Sequence, residues 1–158
     1  HTDNNVCKSA IGNKCMLELY PMSYNGILSA TYNGVKVSNV SWMASCYYST
    51  YGQDIIDEVY DNGSIIIAAA GNGSASCNGP DTHVYPASFN HVISVTSIGP
   101  NDNHERQIGD PSSTHQHNDS VDISAPGYDV ALSLNPGSYI TGNGTSFACP
   151  MVAGTVDL

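Results

Sequence analysis

The sequence is poor in positive charge: 4 Lys and Arg face 14 Asp and Glu, a formal net charge of -10 over 158 residues. Nucleic-acid binding draws on clustered cations that displace counterions, so this balance excludes it as a main function. No apolar run approaches the roughly 18 to 20 residues of a membrane span. The opening His1-Thr2-Asp3-Asn4-Asn5 has none of the apolar character of a signal peptide. The five cysteines (Cys7, Cys15, Cys46, Cys77 and Cys149) show no Cys-x-x-Cys spacing, which argues against a zinc site. An odd count closes no complete disulfide framework, and Cys7–Cys15 and Cys46–Cys77 are the two bridges left open by spacing. Few cations and many turns lean toward an extracellular protein.

What is present is an ordinary globular composition, 41% hydrophobic with 15 Gly and 8 Pro, enough for one domain with its own core. Apolar strand candidates alternate with helical ones, which predicts an α/β fold: three layers, with a mostly parallel sheet flanked by helices. The strand candidates are Met16–Tyr20, Val35–Trp42, Ser64–Ala70, His91–Ile98 and Val121–Ser124, with short extended pieces near Val130 and Tyr139. Ser64–Ala70 is apolar without a break and reads as a strand buried on both faces. Ser23 caps a helix through Tyr32 that Asn33-Gly34 ends. Gln53–Tyr60 is amphipathic, with Ile55, Ile56 and Val59 on one side. Between Gly99 and Asn118 the chain reads as polar loop, and from Ser146 to Leu158 as an apolar, inward-facing helix.

Chemistry concentrates in two places. In Asn143-Gly144-Thr145-Ser146-Phe147-Ala148-Cys149-Pro150 a serine stands where an extended segment turns into a helix. A hydroxyl so placed is exposed beside free backbone N–H groups that can receive an oxyanion. An ordinary helix N-cap accounts for the same letters. Asn72 follows a buried strand directly, at the end of the sheet where α/β proteins hold ligands; a plain Asn72-Gly73 turn fits equally. His115-x-His117 supplies half a metal site without a third ligand and reads as loop. Of five Asn-x-Ser/Thr sequons, those at Asn39, Asn72 and Asn143 fall in an expected buried strand or cleft, leaving Asn62 and Asn118 as acceptors in a eukaryotic secretory host.

The run Gly144-Thr145-Ser146-Phe147-Ala148-Cys149-Pro150-Met151-Val152-Ala153-Gly154 resembles the serine signature of the subtilisin-like proteases, and Ala68-Ala69-Ala70-Gly71-Asn72 resembles their oxyanion-Asn segment. Val37–Trp42, Tyr85-Pro86-Ala87, Val92–Thr96 and Val121–Gly127 follow in family order. Residues 1–158 are thereby identified as one partial subtilase catalytic domain, truncated at both ends. The resemblance implies a serine endopeptidase acting on polypeptides, with Ser146 as nucleophile and Asn72 with the Ser146 N–H as oxyanion hole. Ser41, Trp42 and Met43, Ala69, Ala70 and Gly71, and Asn143, Gly144 and Thr145 would line the substrate groove.

The family's His and Asp segments have no counterpart here, and His83, His91, His104, His115 and His117 match non-catalytic regions. Without a base the serine is a weak nucleophile, so the chain alone is expected to be inactive, poorly soluble, and in need of the missing N-terminal part of its own domain. A non-catalytic protease-like binding or structural module is the alternative; an α/β-hydrolase is disfavoured because only twelve residues follow Ser146. No cofactor is required for the chemistry. Asp3–Val6 resembles a calcium loop, and Asp122 a weak cation ligand, but Cys7 replaces a usual glycine and makes calcium doubtful. Met43, also in place of a usual glycine, narrows the expected pocket.

Overall fold

The computed structural model describes residues 11, 15–99, 115–135 and 138–156. Its first helix, α1 (Tyr24–Tyr32), starts where Ser23 accepts a hydrogen bond from the Gly26 N–H and ends at Asn33. Strand β1 (Val37–Val40) follows, then α2 (Thr50–Asp61), capped by Ser49 accepting from the Gly52 N–H. Strand β2 (Ile65–Ala69) leads to a single 3-10 turn at Gly73–Ala75. Strands β3 (Val92–Ile98) and β4 (Ile123–Pro126) complete a four-stranded sheet in the order β1-β2-β3-β4, parallel throughout. A separate antiparallel hairpin, β5 (Val130–Asn135) and β6 (Ser138–Gly142), precedes the last helix, α3 (Thr145–Val156).

The expected three-layer α/β architecture is present. Because strand side chains alternate in direction, Ile66 and Ala68 of β2 face one way and Ile67 and Ala69 the other. The first pair packs with Ile27 of α1 and with Ile55, Ile56 and Val59 of α2, backed by Tyr85 and Phe89. The second packs with Val95, Ala125 and the α3 residues Ala148, Cys149 and Ala153. The sheet is therefore covered on both faces, as a parallel sheet requires.

Several elements differ from the sequence expectation. Residues 16–20 form no strand, and Met16, Leu17 and Leu19 are 86%, 78% and 98% exposed. A strand exists only with a ladder partner, and among the described residues β1 pairs with β2 alone. Asn39, expected to be buried, is exposed on that same edge strand. His115 is no surface-loop residue: it is buried, hydrogen-bonded to the Ser97 hydroxyl and stacked on Tyr128 with ring centroids 4.5 Å apart. Helix α3 is not buried all round, since Thr155 and Val156 are exposed. Most of the Gly99–Asn118 loop, and the calcium-like segment with Cys7, lie outside the described residues.

Cys46 and Cys77 form a disulfide, one of the two open pairings. The bridge closes a separation of 31 residues, worth about 3–4 kcal/mol in the chain-entropy picture. It ties the segment leaving β1 to the segment leaving β2.

Candidate active site

Strand β2 delivers Asn72 to the carboxyl end of the sheet. The Ala70 N–H makes the last ladder bond, to the Val95 carbonyl at 2.9 Å, and Gly71 then turns the chain at φ 119°. A side chain at Gly71 would adopt a backbone conformation that L-residues avoid, with its Cβ 2.7 Å from Gln116 Oε1. The Asn72 N–H donates to Ser76 Oγ at 2.8 Å.

The hairpin delivers the serine. Gly144, at φ 153°, donates its N–H to the Gly127 carbonyl at 2.8 Å, and α3 begins at the next residue. A Cβ on Gly144 would lie 3.5 Å from both terminal atoms of the Asn72 side chain, so the two segments are in contact distance.

Thr145 joins the two arms. Its hydroxyl accepts from the Gly71 N–H at 3.1 Å and donates to Asn72 Oδ1 at 3.1 Å, while its own N–H donates to the same Oδ1 at 2.9 Å. Two donors on one atom identify that atom as the oxygen, which settles the amide orientation. Asn72 Nδ2 has no acceptor among the described residues. The Ser146 N–H, a first-turn donor without an intrahelical partner, likewise has none among them. Two donors without a partner among the described residues thus sit on residues held together by Thr145.

Pro150 adds a third tie. Lacking an N–H, it leaves the Ser146 carbonyl without its helical partner, and the Ser41 hydroxyl donates to that carbonyl at 3.2 Å. In return Ser146 Oγ lies 3.4 Å from the Ser41 carbonyl. The end of β1 and the first turn of α3 are laced together through the two serines. Beneath them Cys149 is buried, its thiol donating to the Ile67 carbonyl at 3.2 Å, and burial pushes that thiol up to about 12.

The other expected groove residues divide. Trp42 is half-buried with its ring 5.8 Å from that of Tyr24. Met43 is 44% exposed, its sulfur 3.9 Å from Cys77 Sγ. Ala69 and Ala70 turn their side chains into the core, so only their backbone is available to a ligand. Asn143 Oδ1 accepts from the Asp129 N–H at 2.7 Å, which holds the hairpin base. Asp122 Oδ2 accepts from the Ser94 N–H at 2.8 Å, a structural use of that carboxylate. The residue that sequence reasoning missed is Gln116, buried with no surface exposed and bonded to the turn that carries Asn72. It carries no periodic or spacing signal, because it lies in irregular chain.

None of the described histidines hydrogen-bonds Ser146. His83 pairs with Asp119 at 2.6 Å, His117 with Asp81 at 3.1 Å, and His91 with Asp57 at 3.1 Å while stacking on Tyr60. Among the described residues no three His, Cys, Asp or Glu side chains cluster closely enough to hold a metal ion.

A serine stands at a helix N-terminus, at the carboxyl end of a parallel sheet, and is bonded through its neighbour to a loop Asn in an α/β fold. The profile of the subtilase family matches residues 12–158, and the chain belongs to that family. Subtilisin DY of Bacillus licheniformis is 34% identical over 139 residues, 88% of this chain and 47% of that relative. Thermitase of Thermoactinomyces vulgaris is 33% identical over 135 residues, 85% of this chain and 43% of its own length. The structure of the self-cleaved protease domain of PatA aligns with a TM-score of 0.65 at 26% identity, covering 83% of this chain and 47% of that one. The chain spans less than half the length of these relatives.

Proposed function

We propose that the chain is the nucleophile-bearing part of a serine endopeptidase that cleaves polypeptides outside the cell. The observation that carries this is the three-bond lacing by Thr145, which brings the segments of Asn72 Nδ2 and the Ser146 N–H together, neither donor having a partner among the described residues. Ser146 Oγ attacks a peptide carbonyl carbon; the C–O bond forms, and the carbonyl oxygen takes up negative charge between the two donors. Collapse breaks the C–N bond, the departing amine receives the serine proton by way of a base, and water then releases the acyl group. Donors fixed before the reaction are where such an enzyme gains most; in subtilisin, loss of the oxyanion Asn costs about 10²–10³ in kcat.

We place the base and its orienting carboxylate outside this chain, because the sequence holds no counterpart of the family's His and Asp segments and none of the described histidines hydrogen-bonds Ser146. Residues 1–158 alone therefore hydrolyse peptides slowly or not at all. In the full-length protein, a fluorophosphonate is expected to label Ser146, and Ser146→Ala to abolish both labelling and peptide hydrolysis. Asn72→Ala should lower kcat by about 10²–10³ with labelling weakened but retained. Labelling unchanged by Ser146→Ala would end the reading.

One observation favours a second reading. Ser146 Oγ faces a carbonyl, that of Ser41, instead of a base. A module that binds peptides without cutting them would leave Ser146 unlabelled in the full-length protein while still retaining a peptide substrate on an affinity column.

A further inference from the structure

We infer that Gln116 is a positioning residue for the Asn72 carboxamide; the inference rests on the role proposed for Asn72 above. Gln116 makes no hydrogen bond to the Asn72 side chain. Its Oε1 accepts from the Gly73 N–H at 2.6 Å, and its Nε2 donates to the Gly73 carbonyl at 3.3 Å and the Gly79 carbonyl at 3.2 Å. Its backbone N–H donates to the Gly71 carbonyl at 3.2 Å, and its own carbonyl accepts from the Thr96 hydroxyl of β3. The residues immediately before and after Asn72 are thus both bonded to one side chain and its backbone, which is itself anchored on the sheet.

The amide uses its acceptor and both donors, as a buried primary amide must to avoid an uncompensated desolvation cost. Were the position only a filler, an apolar side chain of similar length would do the same without needing three partners. The geometry divides the labour. Thr145 sets which way the Asn72 amide is turned, and Gln116 sets where the backbone beneath it stands. Because Gly71 has no Cβ, the Gln116 amide lies close against the turn; a Cβ there would come within 2.7 Å of its Oε1. Displacing a preorganised donor by about 1 Å costs on the order of a hundredfold in rate, so a clamp on this turn controls kcat without touching substrate.

The test is a double-mutant cycle in the full-length protein, read by hydrolysis of a peptide p-nitroanilide. Gln116→Met should lower kcat by about tenfold to a hundredfold while KM stays within about twofold. In an Asn72→Ala background the same substitution should cost less than about twofold, because the group it positions is gone. A cost that persists undiminished in that background, or a kcat unaffected by Gln116→Met, overturns the proposal. Should the Met variant fail to fold, Gln116→Asn, which keeps the amide on a shorter stem, carries the same cycle. If the wild-type protein neither hydrolyses the peptide nor takes a fluorophosphonate at Ser146, the protease reading falls, and the clamp is judged by hydrogen exchange. The Gly73 amide should then exchange slowly in wild type and fast in the variant, with β3 amides unchanged; equal rates in both proteins refute the clamp.

Discussion

The two faces of the sheet are packed on different principles. Against α1 and α2 the core is built from large side chains: Ile27, Ile55, Ile56, Val59, Ile66, Tyr85 and Phe89. Against α3 most of the buried residues are small: Ala69, Ala125, Ala148, Cys149 and Ala153, with Ile67 and Val95 contributing bulk from the strands. The difference follows from what each helix does. Helices α1 and α2 need only cover the sheet, and bulk gives the most burial. Helix α3 must also hold its first turn against the ends of β1 and β2, close enough for Ser41 to reach the Ser146 carbonyl and Thr145 to reach Asn72. Small residues let it lie close.

That contrast can be broken by substitution. Ile56→Ala, in the large-residue core, should cost about 2–5 kcal/mol, read as a fall in the urea midpoint, with activity per folded molecule preserved. Ala148→Leu, on the other face, should cost about 1–3 kcal/mol by overpacking. Its activity per folded molecule should fall as well, because the added bulk pushes the first turn of α3 off the strand ends. If Ala148→Leu lowers stability alone, the close approach of α3 has no functional meaning.

The buried thiol sharpens the comparison at its smallest scale. Cys149 is held as a neutral thiol, with burial raising it to about 12, whereas in the unfolded chain it ionises near about 8.5. The folded state then binds more protons than the unfolded state between those values, so stability must fall as pH rises through that window, by about 1.4 kcal/mol per pH unit at most. Below about pH 8 the contribution is fully present. The measurement is the difference between wild type and Cys149→Ala, which isolates this thiol from every other group. The substituted protein should lose less stability from about pH 8.5 to about pH 10.5.

Much of the scaffold was legible in local sequence. Ser23 and Asn33-Gly34 bracket α1, and the spacing of Ile55, Ile56 and Val59 announces α2. The unbroken apolar run before Gly71 announces β2 as a strand covered on both faces. The serine segment was legible because its residue types are dictated by a tight turn: Gly144 at positive φ, then a first helical turn. What could not be read depends on contacts distant in sequence. Met16–Tyr20 has strand letters, but a strand is decided by a partner that letters do not name. Ala69 and Ala70 sit beside Asn72 in sequence, yet the period-2 geometry and the closing sheet take their side chains into the core. Gln116 and His115 are polar residues in irregular chain, and polarity suggests surface; only the assembled fold shows the backbone and side-chain groups that satisfy them.

The Cys46–Cys77 bridge makes the tie between two loop segments conditional on where the protein is. It fastens the chain beyond Ser41 to the chain beyond Asn72, so the segments that follow β1 and β2 are covalently joined. In a reducing cytosol that fastening would be absent, and the first segment would be held by backbone contacts such as the Ala44 N–H to the Tyr85 carbonyl. Passage into an oxidising compartment would then fasten these two segments to each other.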